Sequence, residues 1–359
     1  MKLLDINTCP ECGVPEYITS EHLWDDSGLI AQKRDQRHIV TFIENDNLDA
    51  IFRGVEGIIG ASIEPIILNT RRRAGRAYMD RLIPKGVREL VQKRELELKP
   101  LIEAFFTVGH VLGYGRFELV DYRYEQDDDD FFTVRIEKPY SILLGSVDPA
   151  AAFEALIGSE LGFTYEEVSK DVFDIKAFRA SHPDEYKGRL QMKLYEHKPG
   201  DIELESCPSC GGPAALSSFK WDLEKGLIYH GHTERRMVFF APTVLDAVFA
   251  ELERELGESI PGAVVEAQRR FARGFYSPED IGDEASFRTA LALRGIGNLR
   301  ELEMAPGGLR LRLDNAAMHL LVVGLAQGIF ERAFDVQSGV EWESSEEGDL
   351  QVEVSPSSG

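Results

Sequence analysis

Cys9-Pro10-Glu11-Cys12-Gly13 and Cys207-Pro208-Ser209-Cys210-Gly211 are one five-residue turn written twice in a chain of 359 residues. The separation of 198 positions carries outward from the turns with a one-residue adjustment. Trp24 recurs as Trp221, Leu48-Asp49-Ala50 as Leu245-Asp246-Ala247, Phe52 as Phe249 and Gly60 as Gly257, all 197 positions on. Arg72, Arg73 and Arg76 recur at the same offset as Arg269, Arg270 and Arg273. The register then slips, because Gly113-Tyr114-Gly115 matches Gly295-Ile296-Gly297 at 182. A fixed period held by such different residue types reads as a tandem duplication. The first copy carries a longer linker near 81–98 and an extra tail at about 173–198.

Each copy reads the same way. A short two-stranded knuckle region comes first, then a strand at 38–43 or 236–241. Leu48, Ile51, Phe52, Val55, Ile58 and Ile59 follow at helical spacing, as do Leu245, Val248, Phe249, Leu252 and Leu256, so an amphipathic helix succeeds the strand. Gly60 and Gly257 interrupt it, and a second helix runs through the arginines. Past the Gly-x-Gly turn, 117–124 and 131–137 alternate like a hairpin, with Asp127–Asp130 as a solvated tip in place of the Pro-Gly turn at 305–308. A late helix, 149–161 or 316–334, precedes a last strand, 163–168 or 340–343. The expected segments are a knuckle hairpin at 1–37, a domain at 38–198, a second knuckle at 199–235 and a second domain at 236–359.

Composition narrows the functional classes. The content is 43% hydrophobic and 28% charged, ordinary for a globular protein and too apolar for a disordered one. Forty Lys and Arg face 62 Asp and Glu, a net charge of −22, which repels phosphate backbones and anionic lipid; neither nucleic acid nor a membrane surface is an expected partner. The longest apolar stretch, 316–330, is broken by His319 and Gln327 and is too short to span a bilayer. Asp5 and Asn7 stand where a signal peptide would need an apolar core, so a cytoplasmic protein is expected.

In a reducing compartment, Cys-x-x-Cys twice points to metal rather than disulfide. A tetrahedral structural zinc site takes four soft ligands, and Cys-Pro-x-Cys-Gly aims two thiolates at one ion. His22 aligns with Phe219 and His38 with Arg235, so histidines would have to complete two local sites differently in each copy. The simpler expectation is one zinc shared by Cys9, Cys12, Cys207 and Cys210, with two separate histidine-assisted sites as the alternative. No thioredoxin-like βαβ pattern surrounds either pair.

The stretch Ile66-Ile67-Leu68-Asn69-Thr70-Arg71-Arg72-Arg73-Ala74-Gly75-Arg76 resembles the arginine-bearing helix of the 4-vinyl reductase type of small-molecule-binding domain. Leu112-Gly113-Tyr114-Gly115-Arg116-Phe117-Glu118-Leu119 resembles that family's Gly-aromatic-Gly entry into a hairpin, and 152–162 its late helix. The likeness covers 60–168 and, more loosely, 257–354. It implies an internally duplicated α/β (α+β) fold related to TRAPP subunits, helices packed on a small antiparallel sheet, with an apolar pocket between helices and hairpin. Members sense aromatic or hydrocarbon ligands, assist tetrapyrrole vinyl reduction, or act as association domains. Many end in a cysteine metal site; here the matching text, Glu343-Ser344-Ser345-Glu346-Glu347-Gly348-Asp349-Leu350-Gln351, keeps the glycine and aspartate but not the cysteines.

The resemblance places a first-copy pocket at Phe105, Phe106, His110 and Tyr114, with a filled core as the alternative. The second copy keeps Phe287 but has Arg288, Ala292 and Ile296 at the other positions, so the site is not expected twice. Arg72, Arg73, Arg76, Arg269, Arg270 and Arg273 form a candidate patch for an anionic group or acidic partner, or else pair with nearby glutamates. No Gly-x-Ser-x-Gly, P-loop, His-Glu-x-x-His or dinucleotide fingerprint occurs, so no catalytic residues are assigned. The leading expectation is a non-catalytic regulatory or sensor protein that binds a small hydrophobic molecule and signals through a protein partner. The alternatives are a TRAPP-like interaction scaffold without a ligand and an accessory factor in tetrapyrrole vinyl reduction.

Overall fold

The computed structural model describes residues 6–184, 188–190, 192–280 and 282–357. Asp5, used above to argue against a signal peptide, and part of the 173–198 tail lie outside the described residues. The first half of the chain contains α1 (Glu16–Glu21), β1 (His22–Trp24), β2 (Ile30–Gln32), β3 (Asp35–Glu44), α2 (Asn45–Ile59), α3 (Glu64–Leu82) and α4 (Val87–Gln92). It continues with α5 (Leu98–Leu112), β4 (Arg116–Arg123), β5 (Phe131–Glu137), α6 (Ile142–Gly145), α7 (Asp148–Ile157), β6 (Leu161–Ser169) and β7 (Val172–Arg179). The second half contains β8 (Phe219–Asp222), β9 (Leu227–His230), β10 (Arg236–Phe240), α8 (Pro242–Leu256), α9 (Ile260–Phe275) and α10 (Glu284–Leu293). It ends with β11 (Asn298–Ala305), β12 (Gly308–Asp314), α11 (His319–Phe334), β13 (Ser338–Ser344) and β14 (Leu350–Pro356). The fold is α+β with antiparallel sheets, as expected.

The chain packs as two units, and neither is a contiguous half. One comprises Met1–Thr8, Glu64–Met192 and Phe219–Val238; the other comprises Cys9–Ile63, Lys193–Ser218 and Phe239–Gly359. These boundaries differ from the four contiguous segments expected at 1–37, 38–198, 199–235 and 236–359. The difference has a local physical cause, because each hairpin packs on the body from the other half. In the first unit, Trp221 on β8 donates its indole N–H to Val111 O at the end of α5, 3.2 Å away, and Gly115 N donates to Gly226 O at 2.9 Å. In the second unit, Trp24 on β1 donates to Leu293 O at the end of α10, 2.9 Å away, and Gly28 meets the Gly297 backbone. Trp24 and Trp221 match in the sequence at a separation of 197 and Gly115 and Gly297 at 182, while Gly28 and Gly226 stand 198 apart in the two hairpin turns. The same contact is therefore made twice, each time with residues of both halves.

Each unit has one four-stranded antiparallel sheet with the same strand order, β4-β5-β7-β6 in the first and β11-β12-β14-β13 in the second. Alternation explains the faces: Phe117, Phe132, Val134 and Ile136 are buried against Ile102, Phe106 and Phe153 of the helices. In the second unit, Leu309, Leu311, Leu313, Val352 and Val354 are buried in the same way. The helix pairs α3–α7 and α9–α11 approach closely at small residues, Gly75 on Ala151 and Gly328 on Ala272.

Three sequence expectations change. The extra tail begins with β7, which sits between β5 and β6 and completes the first sheet. Its charged stretch, Asp174 to Arg179, hides the pattern: Arg135 pairs with Asp174 at 2.7 Å on the polar face, while Ile175 and Ala177 are buried on the other. The longer linker contains α4. The Asp127–Asp130 tip is only partly solvated, since Asp130 is buried, accepts from Gln126 N at 2.9 Å and pairs with Arg179 at 2.8 Å.

The hairpin contacts predict a stability difference. Gly28 has φ +81°, and a Cβ there would lie 2.6 Å from the Gly297 carbonyl. Gly60, the left-handed C-cap of α2 at φ +75°, has open space around it. Gly28→Ala is expected to cost roughly 3 kcal/mol through strain plus overlap, and Gly60→Ala about 1 kcal/mol through strain alone. Urea unfolding of the two variants measures the order.

Candidate metal centre and ligand cavity

The two Cys-x-x-Cys turns fold alike. Cys9 N donates to Val14 O and Gly13 N to Cys9 O, both at 2.9 Å; Cys207 N donates to Gly212 O at 2.7 Å and Gly211 N to Cys207 O at 2.9 Å. Gly13 and Gly211 stand at φ +72° and +73°, where a Cβ is disfavoured. Both turns belong to the second unit and bring their sulfurs together: Cys9 Sγ is 3.7 Å from Cys207 Sγ, and Cys12 Sγ is 3.6 Å from Cys210 Sγ. All four sulfurs lie within 4.8 Å of one another, so they form one cluster that can hold a metal ion.

The donor set fits a tetrahedral ion. Four sulfurs each about 2.3 Å from zinc stand about 3.8 Å apart, close to the two short separations here. Local electrostatics differentiate the thiols. Backbone N–H groups of Cys12 and Glu11 draw the Cys9 thiol down to about 7, whereas burial pushes the Cys12 thiol up to about 12 and Cys210 upward. Four sulfurs this close, three of them on buried cysteines and several already facing backbone N–H groups, suit a cation shared among thiolates. His22 is turned elsewhere, with Nδ1 3.0 Å from Ile18 O, and burial holds it down at about 4.

The first-copy pocket residues lie together in the first unit. Phe106 is buried and stacks on Phe117 at 5.4 Å; Phe105 and Tyr114 pack against the same core. His110 Nε2 accepts from Phe117 N at 2.9 Å, and burial, with the Arg116 charge second, holds its ring down at about 4. Tyr114 lies on Tyr140, centroids 4.4 Å apart.

The arginines find partners within their own units. In the first unit, Arg72 donates to Leu161 O at 2.6 Å, Arg73 to Asn69 O at 3.2 Å, and Arg76 stands 3.7 Å from Glu154. In the second, Arg269 pairs with Glu331 at 2.5 Å and with Glu266 at 2.7 Å, Arg270 with Glu266 at 2.6 Å, and Arg273 with Glu331 at 3.5 Å. Glu154 and Glu331 are both buried, and each takes the backbone N–H of the strand that follows its helix, Leu161 at 2.8 Å and Ser338 at 2.9 Å.

Sequence reasoning passed over a cavity in the second unit. It has a volume of about 270 Å³ and lies between α8, the starts of α9 and α11, and Trp342 of β13. Leu245, Phe249, Ile260, Met318 and Leu320 supply apolar wall, and Asp246, Glu253, Lys193 and His319 supply polar groups. Asp246 accepts from Tyr195 Oη at 2.5 Å, and burial raises its carboxyl above the usual range. Asp246 had served only as a repeat marker. Its signal was an acid at the border of the stripe Leu245, Val248, Phe249 and Leu252, on the face of α8 that carries exposed Ala250 and Glu253.

No known family profile matches the chain, and no curated protein matches it either. Solved structures with some likeness are H-NOX domains. One, a Cs H-NOX mutant carrying 4-cyano-L-phenylalanine at site 5, is 14% identical over 35% of this chain and 78% of its own, with a TM-score of 0.26. A single-site mutant of T. Tengcongensis H-NOX is 15% identical over 33% of this chain and 75% of its own, with a TM-score of 0.24. Superposition this slight says nothing of what the chain does. Among the described residues, no helix is long and apolar enough to cross a membrane.

Proposed function

We propose that the protein binds a small, largely apolar molecule in the second unit, and that a zinc ion held by Cys9, Cys12, Cys207 and Cys210 fixes that unit's shape. The observation that carries the reading is the 270 Å³ cavity with its few convergent polar groups, the usual make-up of a small-molecule site. The protein acts by binding rather than catalysis, as a regulatory or sensor protein whose output passes through protein contacts. This reading keeps the 4-vinyl reductase resemblance and the duplication, and it moves the ligand site from the first half to the second. The recurrent contacts support the duplication: Trp24–Leu293 and Trp221–Val111 are the same bond in two places. They also fit two copies that exchanged their hairpins.

The contacts among Phe106, His110 and Phe117 support the scaffold reading for the first unit. A thermal-shift screen of aromatics, amino acids, fatty acids and tetrapyrroles separates the readings. A ligand at 100 times its Kd stabilises the native state by about 2.7 kcal/mol, which moves Tm by several degrees. A flat screen on the zinc-loaded chain sinks the sensor reading and leaves the scaffold; a response confined to tetrapyrroles favours the accessory role in vinyl reduction.

A further inference from the structure

The cavity in the second unit is charged in two senses on two different elements. Helix α8 contributes Asp246 and Glu253, seven positions apart and so on one face, with Asp246 within and Glu253 exposed at the rim. The positive side comes from Lys193, exposed, with Nζ 4.9 Å over the Tyr195 ring, and from the first turn of α11. That turn begins at Met318, which offers no side-chain cap, and its next residues, His319, Leu320 and Leu321, line the cavity. Burial lowers the pKa of His319, with the Lys193 charge adding to the effect. The rest of the wall is apolar, with Phe249 and Trp342 as aromatic surfaces and Met318 as an adaptable one.

We propose that this cavity takes a zwitterionic α-amino acid with an apolar or aromatic side chain. The proposal rests on the small-molecule reading above and names its ligand class. An ammonium group finds Asp246, whose Oδ2 is already held by the Tyr195 hydroxyl. A carboxylate finds Lys193 and the amide end of α11, and the side chain fills the apolar volume. A ligand with only one of the two charges leaves the opposite pole of the site without a counter-ion. Size agrees. A cavity of 150 Å³ holds benzene, so 270 Å³ holds about eleven heavy atoms by proportion, between leucine and phenylalanine.

The test uses the full-length, metal-loaded protein and calorimetric titration with three probes of one shape: L-phenylalanine, phenethylamine and 3-phenylpropionate. L-phenylalanine is expected to bind at least tenfold more tightly than either singly charged analogue. Asp246→Asn is expected to weaken L-phenylalanine and phenethylamine about tenfold and to leave 3-phenylpropionate unchanged; Lys193→Gln is expected to do the reverse. Lys193 is exposed, so that variant folds even if Asp246→Asn does not. If either analogue matches or exceeds L-phenylalanine, or if only other members of the wider screen bind, the zwitterion assignment is overturned and the small-molecule reading stands. If no probe and no member of that screen binds, both fall.

Discussion

Replacing Cys207 with serine is expected to release the bound metal and lower the unfolding free energy by about 5 kcal/mol. The figure comes from the chain rather than the ion: the cluster joins sulfurs 198 positions apart, and closing a loop of that length restricts the unfolded chain by about 5 kcal/mol. Structural zinc in small domains contributes roughly 10 kcal/mol or more, so the loop figure is the modest end of the range. The full-length protein should carry one zinc per chain, and a strong chelator should reproduce the Cys207→Ser loss. Ser209→Ala, inside the same turn but not a ligand, should change neither metal content nor Tm. Two zinc ions per chain, or a melting curve indifferent to chelator, would remove the shared site.

What the sequence disclosed and what it hid follow from where the physics is local. The Cys-Pro-x-Cys-Gly turns, the α2 and α8 stripes and the C-terminal glycine of α2 are set by neighbours along the chain, and each was legible. So was the α+β character, since the alternation at 131–137 and the helical spacing at 48–59 are strong. The meeting of all four cysteines was legible for a different reason: each Cys-x-x-Cys turn supplies half a ligand set. The partition into packing units was not legible, because matching sequence text shows which residues correspond but not which body each hairpin packs on. Trp24 could bond to Val111 or Leu293 with equal local sense; only the tertiary fold selects Leu293. β7 was hidden by its alternating charges, which look like a solvated tail until Arg135 is placed beside Asp174. The cavity was hidden because its walls come from α8, α9, α11 and β13, and no window of sequence spans them.

The arginine motif leads to the second large effect. Glu331 is 1% exposed and uses both oxygens: Oε1 accepts from Ser338 N at 2.9 Å and Ser338 Oγ at 3.0 Å, and Oε2 faces Arg269 at 2.5 Å and Arg273 at 3.5 Å. One carboxylate thus fixes the end of α11, the start of β13 and the arginine face of α9. Glu331→Gln keeps an acceptor for Ser338 but turns an amide N–H₂ toward two guanidinium groups, of which Arg269 keeps Glu266 and Arg273 is 38% exposed. Breaking a fully buried pair costs about 3–5 kcal/mol, and with Arg269 still paired and Arg273 partly solvated a loss of about 3 kcal/mol is expected here. Arg270→Ala removes only a pair on an arginine that is 60% exposed and should cost less than about 1 kcal/mol. If the arginines instead serve an external anion, the order inverts in function: Arg270→Ala would leave stability intact and abolish partner capture, whereas a structural motif predicts no binding change. Denaturant midpoints for both variants, with partner recovery for Arg270→Ala, separate the two roles.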